Sequence, residues 1–198
     1  MSNPEREEFL VLGWNDIVQL CLELSRRIRG SGFHPDVVVA ILRGGYVVAK
    51  IVSDLLNVDS LATLEIKFYR GIGEKAERPI VVQPLTRDVK DRKVLIVDDV
   101  ADSGRTLQVA IDLVRLHGAK DVRTATLFYK PWSIVMPDYF VEQTRKWIVF
   151  PWEIGETIRN LLSKDALSPE EVLKLLNLDK KFGNIALEIV RFLIGYSR

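Results

Sequence analysis

The segment Val94–Thr106 constrains the fold of this chain more than any other. It begins with four consecutive apolar residues, Val94–Val97, continues with two aspartates, and ends in a turn of small and hydroxyl-bearing residues. An apolar run without alternation is typical of a parallel strand that is buried on both faces. From Leu107 onward, apolar residues recur at helical spacing. A buried strand that passes through a polar turn into a helix predicts an α/β fold.

Other segments extend this pattern along the chain. Val37–Leu42 and Val122–Phe128 have the composition of buried strands, and Leu61–Tyr69 alternates as a half-exposed strand does. The predicted helices are Trp14–Ile28, Tyr46–Leu56 and a helix from Leu107 that ends at Gly118. This order of strands and helices predicts a mainly parallel sheet flanked by helices.

The stretch Arg70–Arg92 interrupts the regular pattern. It holds glycines, prolines and many charged residues, with a short apolar piece at Ile80–Val82. Segments of this length between regular elements are usually functional lids or linkers. We predict a long mobile loop or a flexible hairpin here.

Composition and charge limit which kinds of partner and location we expect for this protein. The 198 residues include 28 Lys and Arg against 27 Asp and Glu, a net charge of +1, so no basic excess attracts nucleic acid or an anionic membrane. The single cysteine, Cys21, cannot form an internal disulfide, and Met1–Glu8 lacks the apolar stretch of a signal peptide. The longest apolar run, Val37–Leu42, is too short to span a membrane. We therefore expect a cytoplasmic protein without nucleic-acid or membrane partners.

The pattern changes in the last quarter of the chain. Glu153–Leu162 is compatible with a helix, Ser168–Glu171 has the sequence of a capping box with proline at the first helical position, and Ile185–Ile194 is strongly apolar. We predict one α/β domain over residues 1–162 and a helical extension over residues 163–198.

The residues after the Val94–Val97 strand suggest a specific chemistry. Asp98 and Asp99 stand at the carboxyl end of that strand, where open α/β sheets usually bind ligands. Repulsion between adjacent carboxylates is relieved by hydroxyl donors or a cation. The turn Asp102–Thr106 leads into a helix whose first amides and dipole favour an anion. Carboxylates for a diol beside a cup for a phosphate describe a ribose 5-phosphate site, although the same residues can also form a simple helix cap.

This stretch resembles the 5-phosphoribosyl 1-diphosphate (PRPP) binding motif of type I phosphoribosyltransferases. The resemblance extends from about Trp14 to Arg159, which is most of the chain. It implies the type I phosphoribosyltransferase fold: a mainly parallel sheet, a mobile catalytic loop, and a small hood over the nucleobase, here about residues 129–155. The helices after residue 162 exceed the part that resembles the family.

The resemblance also implies roles for the residues of the motif. Asp98 and Asp99 correspond to the pair that binds the ribose 2- and 3-hydroxyls, and Asp102 to the carboxylate near purine N7 that accepts or relays its proton. The cup for the 5-phosphate corresponds to Ser103, Gly104, Arg105 and Thr106.

A second motif, Leu42–Gly45, resembles the pyrophosphate loop of the family, with Arg43 and Gly44 as the binding residues. The family often has a non-proline cis peptide before the basic residue, so the bond between Leu42 and Arg43 is the candidate. Taken alone, these residues can also form an ordinary turn.

The hood would supply the contacts to the base. Lys130 matches the lysine that donates to O6 of 6-oxopurines, Trp147 the aromatic residue that stacks on the purine, and Ile148 the residue whose carbonyl faces the purine 2-position. Glu153 stands where the family has an aspartate that helps to hold Mg²⁺, together with the aspartate pair, and Arg159 matches a pyrophosphate-binding arginine. A core tryptophan and an exposed helix arginine are the structural alternatives for Trp147 and Arg159.

The resemblance implies an Mg²⁺-dependent transferase. It would convert guanine, hypoxanthine or xanthine and PRPP into the nucleoside 5′-monophosphate and pyrophosphate, in purine salvage. The alternatives are a regulatory protein that senses nucleotides with the same fold, or an enzyme for another base such as adenine. Members of this family are usually homodimers or homotetramers, so we expect a homo-oligomer. The apolar faces after Leu162 either contribute to that interface or pack on their own domain.

Overall fold

The computed structural model describes residues 8–69, 78–164, 167–178, 182–183 and 185–195. They form two compact units by contact, one of residues 1–17 with 146–198 and one of residues 18–145. The strands are β1 (Phe9–Val11), β2 (Val37–Ile41), β3 (Leu61–Tyr69), β4 (Arg78–Gln83), β5 (Lys93–Ala101), β6 (Asp121–Tyr129), β7 (Tyr139–Gln143) and β8 (Trp147–Val149). The helices are α1 (Trp14–Gly30), α2 (Gly44–Leu56), α3 (Arg105–Leu116), α4 (Ile154–Lys164), α5 (Pro169–Leu176) and α6 (Ile185–Gly195).

The larger unit is built on a six-stranded sheet with the strand order β4-β3-β2-β5-β6-β7. All neighbouring strands run parallel except β4, which pairs antiparallel with β3 at one edge. The mainly parallel α/β fold predicted from the sequence is therefore confirmed. Ligands of such sheets bind at the carboxyl ends of the strands.

The centre of the sheet is buried on both faces. Every residue of β2 is buried, and so are Val94–Val97 of β5, which agrees with their continuous apolar sequences. In β3 only Ala62, Leu64 and Ile66 are buried, so its alternating pattern gives a half-exposed strand as predicted. On the α3 side, Leu107, Ala110 and Val114 pack against this core.

The predicted loop or hairpin at Arg70–Arg92 contains the edge strand β4. Ile80, Val81 and Val82 form its apolar part, and all three are exposed. The antiparallel pairing of β3 with β4 is that of a hairpin, with Ile66 opposite Val81. Residues 70–77, between β3 and β4 in the sequence, lie outside the described residues, so the mobility predicted for this segment stays a prediction.

The smaller unit combines both ends of the chain. β1 and β8 pair in parallel, with Leu10 opposite Ile148. Apolar residues of α4, α5 and α6 pack together in one cluster, whose buried members include Ile158, Val172 and Val190. The apolar stripes predicted after Leu162 are thus partly buried within this unit.

The helix predicted from the capping box is confirmed. The Ser168 hydroxyl accepts from the Glu171 N–H at 3.2 Å, and the Ser168 N–H donates to the Glu171 carboxylate at 2.7 Å. The hydrogen bond from the Ser168 N–H is the main cause that lowers the pKa of the Glu171 carboxyl. Pro169 follows the cap at the first helical position, where its missing N–H costs no hydrogen bond.

The compact units do not divide at residue 162. The residues predicted as a hood, 129–155, are shared between the units, since β7 extends the large sheet and β8 belongs to the smaller unit. The domain boundary at residue 162 therefore stays a prediction. Among the described residues, no helix is long and apolar enough to cross a membrane.

We predict that Cys21 does not react with thiol reagents in the folded protein. Its side chain is fully buried on α1, and this burial raises the pKa of the thiol to about 12, so the reactive thiolate is scarce at neutral pH. A colorimetric thiol assay should detect one thiol per chain in denaturant and a negligible rate without it. A fast reaction in the native protein would contradict the buried position.

Candidate active site

The two adjacent aspartates lie near the carboxyl end of β5, one of the two central strands of the sheet. Strand pairing continues beyond Val97 as far as Ala101, so Asp98 and Asp99 are strand residues rather than part of the turn. Asp99 is buried, at 8% exposure, and Asp98 is half-buried. Asp98 Oδ1 accepts from the Asp99 N–H at 3.0 Å, and Asp99 Oδ1 from the Val100 N–H at 2.8 Å. These short local bonds fix the orientation of both carboxylates.

The β5–α3 loop, Asp102–Gly104, presents backbone amides at the start of α3. Gly104 is the N-cap residue, with φ of +76°, and glycine has no side chain that accepts from the first-turn N–H groups. The Ser103 hydroxyl lies 3.4 Å from the Arg105 N–H. A helix start capped in this way favours an anion, since the dipole and the amide donors point at the same place. The phosphate cup at Ser103–Thr106 stays a prediction, and this start of α3 is the feature that supports it.

Arg105 and Phe68 connect the start of α3 with the neighbouring strand β3. The guanidinium carbon lies 4.4 Å from the centre of the Phe68 ring, which is a cation–π distance. This contact places the positive charge of Arg105 beside the phosphate cup.

The second motif lies against the aspartate pair. The peptide bond between Leu42 and Arg43 is cis, as the resemblance led us to expect. α2 begins at Gly44, and a Cβ on Gly45 would lie 2.8 Å from both the Val97 carbonyl oxygen and Asp98 Oδ1. Only glycine permits this approach, so the start of α2 is in direct contact with the end of β5.

The β6–β7 loop, residues 130–138, is held against the β5–α3 loop. The Lys130 N–H donates to the Ala101 carbonyl at 3.0 Å, and the Ile134 N–H donates to the Ser103 carbonyl at 3.0 Å. Between these two, Trp132 Nε1 donates to Asp102 Oδ1 at 3.1 Å. Lys130 is buried, at 6% exposure. The structure therefore brings the residue predicted to bind the base into the same unit as the residues predicted to bind PRPP.

The remaining predicted base contacts lie in the smaller unit. Trp147 on β8 is 54% exposed, so the alternative of a core tryptophan is wrong. The Trp147 N–H donates to the Glu8 carbonyl, and the Val149 carbonyl accepts from the Leu12 N–H, so both residues direct their backbone groups toward β1. Because successive strand residues face opposite ways, the Ile148 carbonyl points away from β1.

Glu153 directly precedes α4, and Arg159 lies within that helix. The Glu153 carbonyl accepts from the Thr157 N–H at 2.9 Å, and the side chain is half-buried. Arg159 is exposed, as in the alternative of a helix-surface arginine. Among the described residues, no group of three or more His, Cys, Asp or Glu side chains is arranged to hold a metal ion on its own.

The sequence matches the family model described as phosphoribosyl transferase domain over residues 11–158. The chain belongs to the phosphoribosyltransferase family. It is 33% identical over 167 residues to the xanthine-guanine phosphoribosyltransferase of Ruegeria sp. (strain TM1040), covering 78% of this chain and 92% of that protein. It is 34% identical over 162 residues to the enzyme of the same name from Cereibacter sphaeroides (strain ATCC 17025 / ATH 2.4.3), covering 77% of this chain and 90% of that one.

A solved structure supports the same family. The purine phosphoribosyltransferase from Pyrococcus horikoshii Ot3 superposes with a TM-score of 0.67 at 40% identity, over 73% of this chain and 93% of that one. The sequence resemblance to type I phosphoribosyltransferases and the fold that it implied are thus confirmed. The match to the family model ends at residue 158, before α5 and α6.

Sequence reasoning missed the role of the β6–β7 loop in this phosphoribosyltransferase. Trp132 and Ser133 were not among the candidate residues, yet both lie against Asp102–Gly104: a Cβ on Gly104 would collide with the Ser133 hydroxyl and lie 2.7 Å from the Val135 N–H. In the sequence, the start of this loop is marked by the Lys130–Pro131 pair, which follows directly after β6. That pair does not specify which other loop the β6–β7 loop contacts.

We predict that Gly104→Ala is more destabilising than Gly118→Ala. Both glycines have positive φ, +76° and +81°, so both variants carry the ~1–2 kcal/mol cost of a left-handed L-residue. At Gly118 the nearest atom is a flexible Lys90 carbon at 3.4 Å, whereas at Gly104 the new Cβ meets the β6–β7 loop. Overpacking adds ~1–3 kcal/mol. Urea denaturation of the two variants measures the difference, and equal free energies of unfolding would contradict the close contact of the two loops.

Proposed function

We propose that this chain is a purine phosphoribosyltransferase that transfers the phosphoribosyl group of PRPP to a 6-oxopurine. The observation that carries the proposal is the contact between the β5–α3 loop and the β6–β7 loop, in which the Lys130 N–H donates to Ala101 and Trp132 donates to Asp102. The names of the relatives, two xanthine-guanine phosphoribosyltransferases and one purine phosphoribosyltransferase, support the choice of a purine.

The ribose 5-phosphate half of PRPP would occupy the end of β5 and the start of α3. Asp98 and Asp99 accept hydrogen bonds from the two ribose hydroxyls, and their fixed orientation suits a cis diol. The phosphate accepts from the amides of the first turn of α3 and from the hydroxyls of Ser103 and Thr106. These contacts hold the sugar while its C1 reacts.

The pyrophosphate half would lie at the start of α2. Arg43 and Gly44 supply a guanidinium and a backbone amide, and the approach of Gly45 to Asp98 sets the leaving group next to the ribose. The family resemblance adds Arg159 as a further pyrophosphate-binding residue. A cationic environment is needed because negative charge accumulates on the pyrophosphate oxygens as the bond to C1 breaks.

Mg²⁺ fits this site as a partner of the substrate. The ion usually binds one or two carboxylates together with substrate phosphates and water rather than a closed protein cage. That preference agrees with the described residues, which offer carboxylates without a complete metal cluster. Asp98 and Asp99 would hold the ion on the ribose side, with Glu153 as the third carboxylate. When bound, Mg²⁺ neutralises charge on the departing pyrophosphate.

The chemistry proceeds by displacement at C1. The lone pair of the purine ring nitrogen N9 forms the bond to C1, and the C1–O bond breaks with its electron pair leaving on pyrophosphate. The proton on N7 passes to Asp102. Positive charge on the ribose peaks in the transition state, and the carboxylates beside it stabilise that charge.

We propose three groups for recognition of the base. The Lys130 ammonium donates to O6, the exposed Trp147 ring stacks on the purine, and the Ile148 carbonyl faces the 2-position, where guanine carries an amino donor. We propose a homo-oligomer in the cytoplasm as the working form, as the family resemblance implies.

The proposal is tested by a panel of purine and pyrimidine bases, each supplied with PRPP and Mg²⁺, with pyrophosphate release as the readout. We expect release with guanine, hypoxanthine or xanthine. Tight PRPP binding without release with any base would instead favour a regulatory protein with the same fold. Release with adenine or a pyrimidine alone would contradict the assignment of a 6-oxopurine.

We predict that combined Asp98→Asn and Asp99→Asn substitution lowers kcat/KM for PRPP about 10–100-fold, since a hydrogen bond to a charged group contributes ~1.5–3 kcal/mol. Steady-state kinetics measure the loss, and circular dichroism checks that the variant is folded. Asp112→Asn removes an exposed carboxylate of α3 that binds Gln108, and serves as the control. Unchanged PRPP kinetics in the folded double variant would refute the ribose assignment.

We predict that Lys130→Ala selectively weakens the 6-oxopurine. Loss of the buried charged donor should reduce kcat/KM for the base about 10–100-fold and leave KM for PRPP unchanged. Trp147→Ala should weaken all purines alike, because stacking does not depend on exocyclic groups. Lys120→Ala, at an exposed position before β6, is the control. Guanine and hypoxanthine kinetics that survive Lys130→Ala intact would show that another residue reads O6.

A further inference from the structure

Trp132 touches two of the residues that the proposed mechanism assigns to the base, Asp102 and Lys130. Its Nε1–H donates to Asp102 Oδ1 at 3.1 Å, and the Lys130 ammonium lies 5.5 Å from its ring centre, within cation–π range. One side chain thus contacts the carboxylate assigned to N7 with its polar edge and the ammonium assigned to O6 with its face.

The contact with Asp102 is part of a regular series rather than an isolated surface contact. Lys130, Trp132 and Ile134 each donate one hydrogen bond, to Ala101, Asp102 and Ser103 in that order. The first and third bonds are between backbone groups, so they define the register of the two loops independently of any side chain. That register brings the indole N–H to the Asp102 carboxylate.

We propose that Trp132 is a positioning residue for the transfer reaction. It orients the Asp102 carboxylate toward purine N7 and the Lys130 ammonium toward O6. This inference rests on the proposed function.

The physical requirement arises from the exposure of Asp102. A carboxylate at the surface of a loop turns between rotamers, and a proton acceptor is effective only within hydrogen-bond reach of the proton it takes. Trp132 engages Oδ1, whereas Oδ2 has no donor among the residues that the structure describes. One oxygen is therefore fixed by the protein and the other is available to the base.

The face of the indole has a complementary effect on Lys130. An ammonium on a flexible stem loses entropy when it is held in one place, and an aromatic face on one side limits where it can point. Since the indole ring is rigid, its bond to Asp102 also fixes the face that Lys130 meets. A single planar side chain thereby positions both the Asp102 carboxylate and the Lys130 ammonium.

Two substitutions separate the two contacts. Trp132→Phe keeps an aromatic face toward Lys130 but has no N–H for Asp102, whereas Trp132→Leu lacks both. Met136→Ala, at an exposed residue of the same loop, is the matched control. We expect Trp132→Phe to lower kcat with a 6-oxopurine about tenfold, the size typical of a lost charge-assisted hydrogen bond, with KM for PRPP unchanged. Trp132→Leu should in addition raise KM for the base.

A double-mutant cycle tests whether Trp132 acts through Asp102. In an Asp102→Ala background, Trp132→Phe should have no further effect on kcat, because the group that it positions is gone. Independent losses that multiply in the double variant would overturn the proposal. A rise in KM for PRPP in Trp132→Phe would overturn it too, since that result means a disordered phosphate cup.

A second readout does not depend on turnover. The Nε1–H resonance of Trp132 in a nitrogen-15 NMR spectrum is assigned by its absence in Trp132→Phe, and should shift in Asp102→Ala. A resonance that does not move would overturn the contact, whatever the activity.

The kinetic outcomes also separate this inference from the proposed function. A wild-type protein that releases no pyrophosphate with any purine would overturn the proposed function, and the positioning role with it. An active wild type in which Trp132→Phe behaves as Met136→Ala does would overturn the positioning role alone.

Discussion

The approach of α2 to the end of β5 is the constraint on which the proposed PRPP site depends. Gly45 leaves no room for a side chain against Val97 and Asp98, so the backbones of two different strand–helix junctions meet directly. One junction carries the aspartate pair and the other carries Arg43. A substrate with a diol on one side and a pyrophosphate on the other requires these groups close together. The glycine is therefore as important for the geometry as the charged residues that it brings together.

The same principle of contact between loops applies at Gly104. Its positive φ caps α3 without a side chain, and its missing Cβ admits the β6–β7 loop. One glycine thereby leaves first-turn amides accessible to an anion and allows the β6–β7 loop to pack against the β5–α3 loop. Changes at this position are expected to affect the phosphate and the base together.

The parts predictable from the sequence are those encoded locally. Val94–Thr106 specifies a strand, a turn and a helix within one short segment, and Ser168–Glu171 specifies a helix start within four residues; the structure has both. The cis peptide before Arg43 followed from resemblance to the family, since no local pattern specifies it.

The parts that the sequence analysis missed depend on distant partners. β1 and β8 have three residues each, too few for a periodic pattern, and pair only because the fold brings them together. The bond from Trp132 to Asp102 joins residues 30 positions apart. A tryptophan after a strand is equally compatible with core packing, surface exposure or a contact with the site, and only the register of the two loops decides among these.

The pairing of β1 with β8 has a consequence for how the chain folds during its synthesis. Leu10 precedes the strands of the six-stranded sheet in the chain, and its partner Ile148 follows all of them, so Ile148 emerges from the ribosome only after the whole sheet. Contacts between residues this far apart form slowly, because a long loop must close first. The strands of the large sheet follow one another in the sequence and can assemble while β1 is still unpaired. The smaller unit is thus completed last, and we expect Trp147 and Ile148 to reach their final positions late in folding.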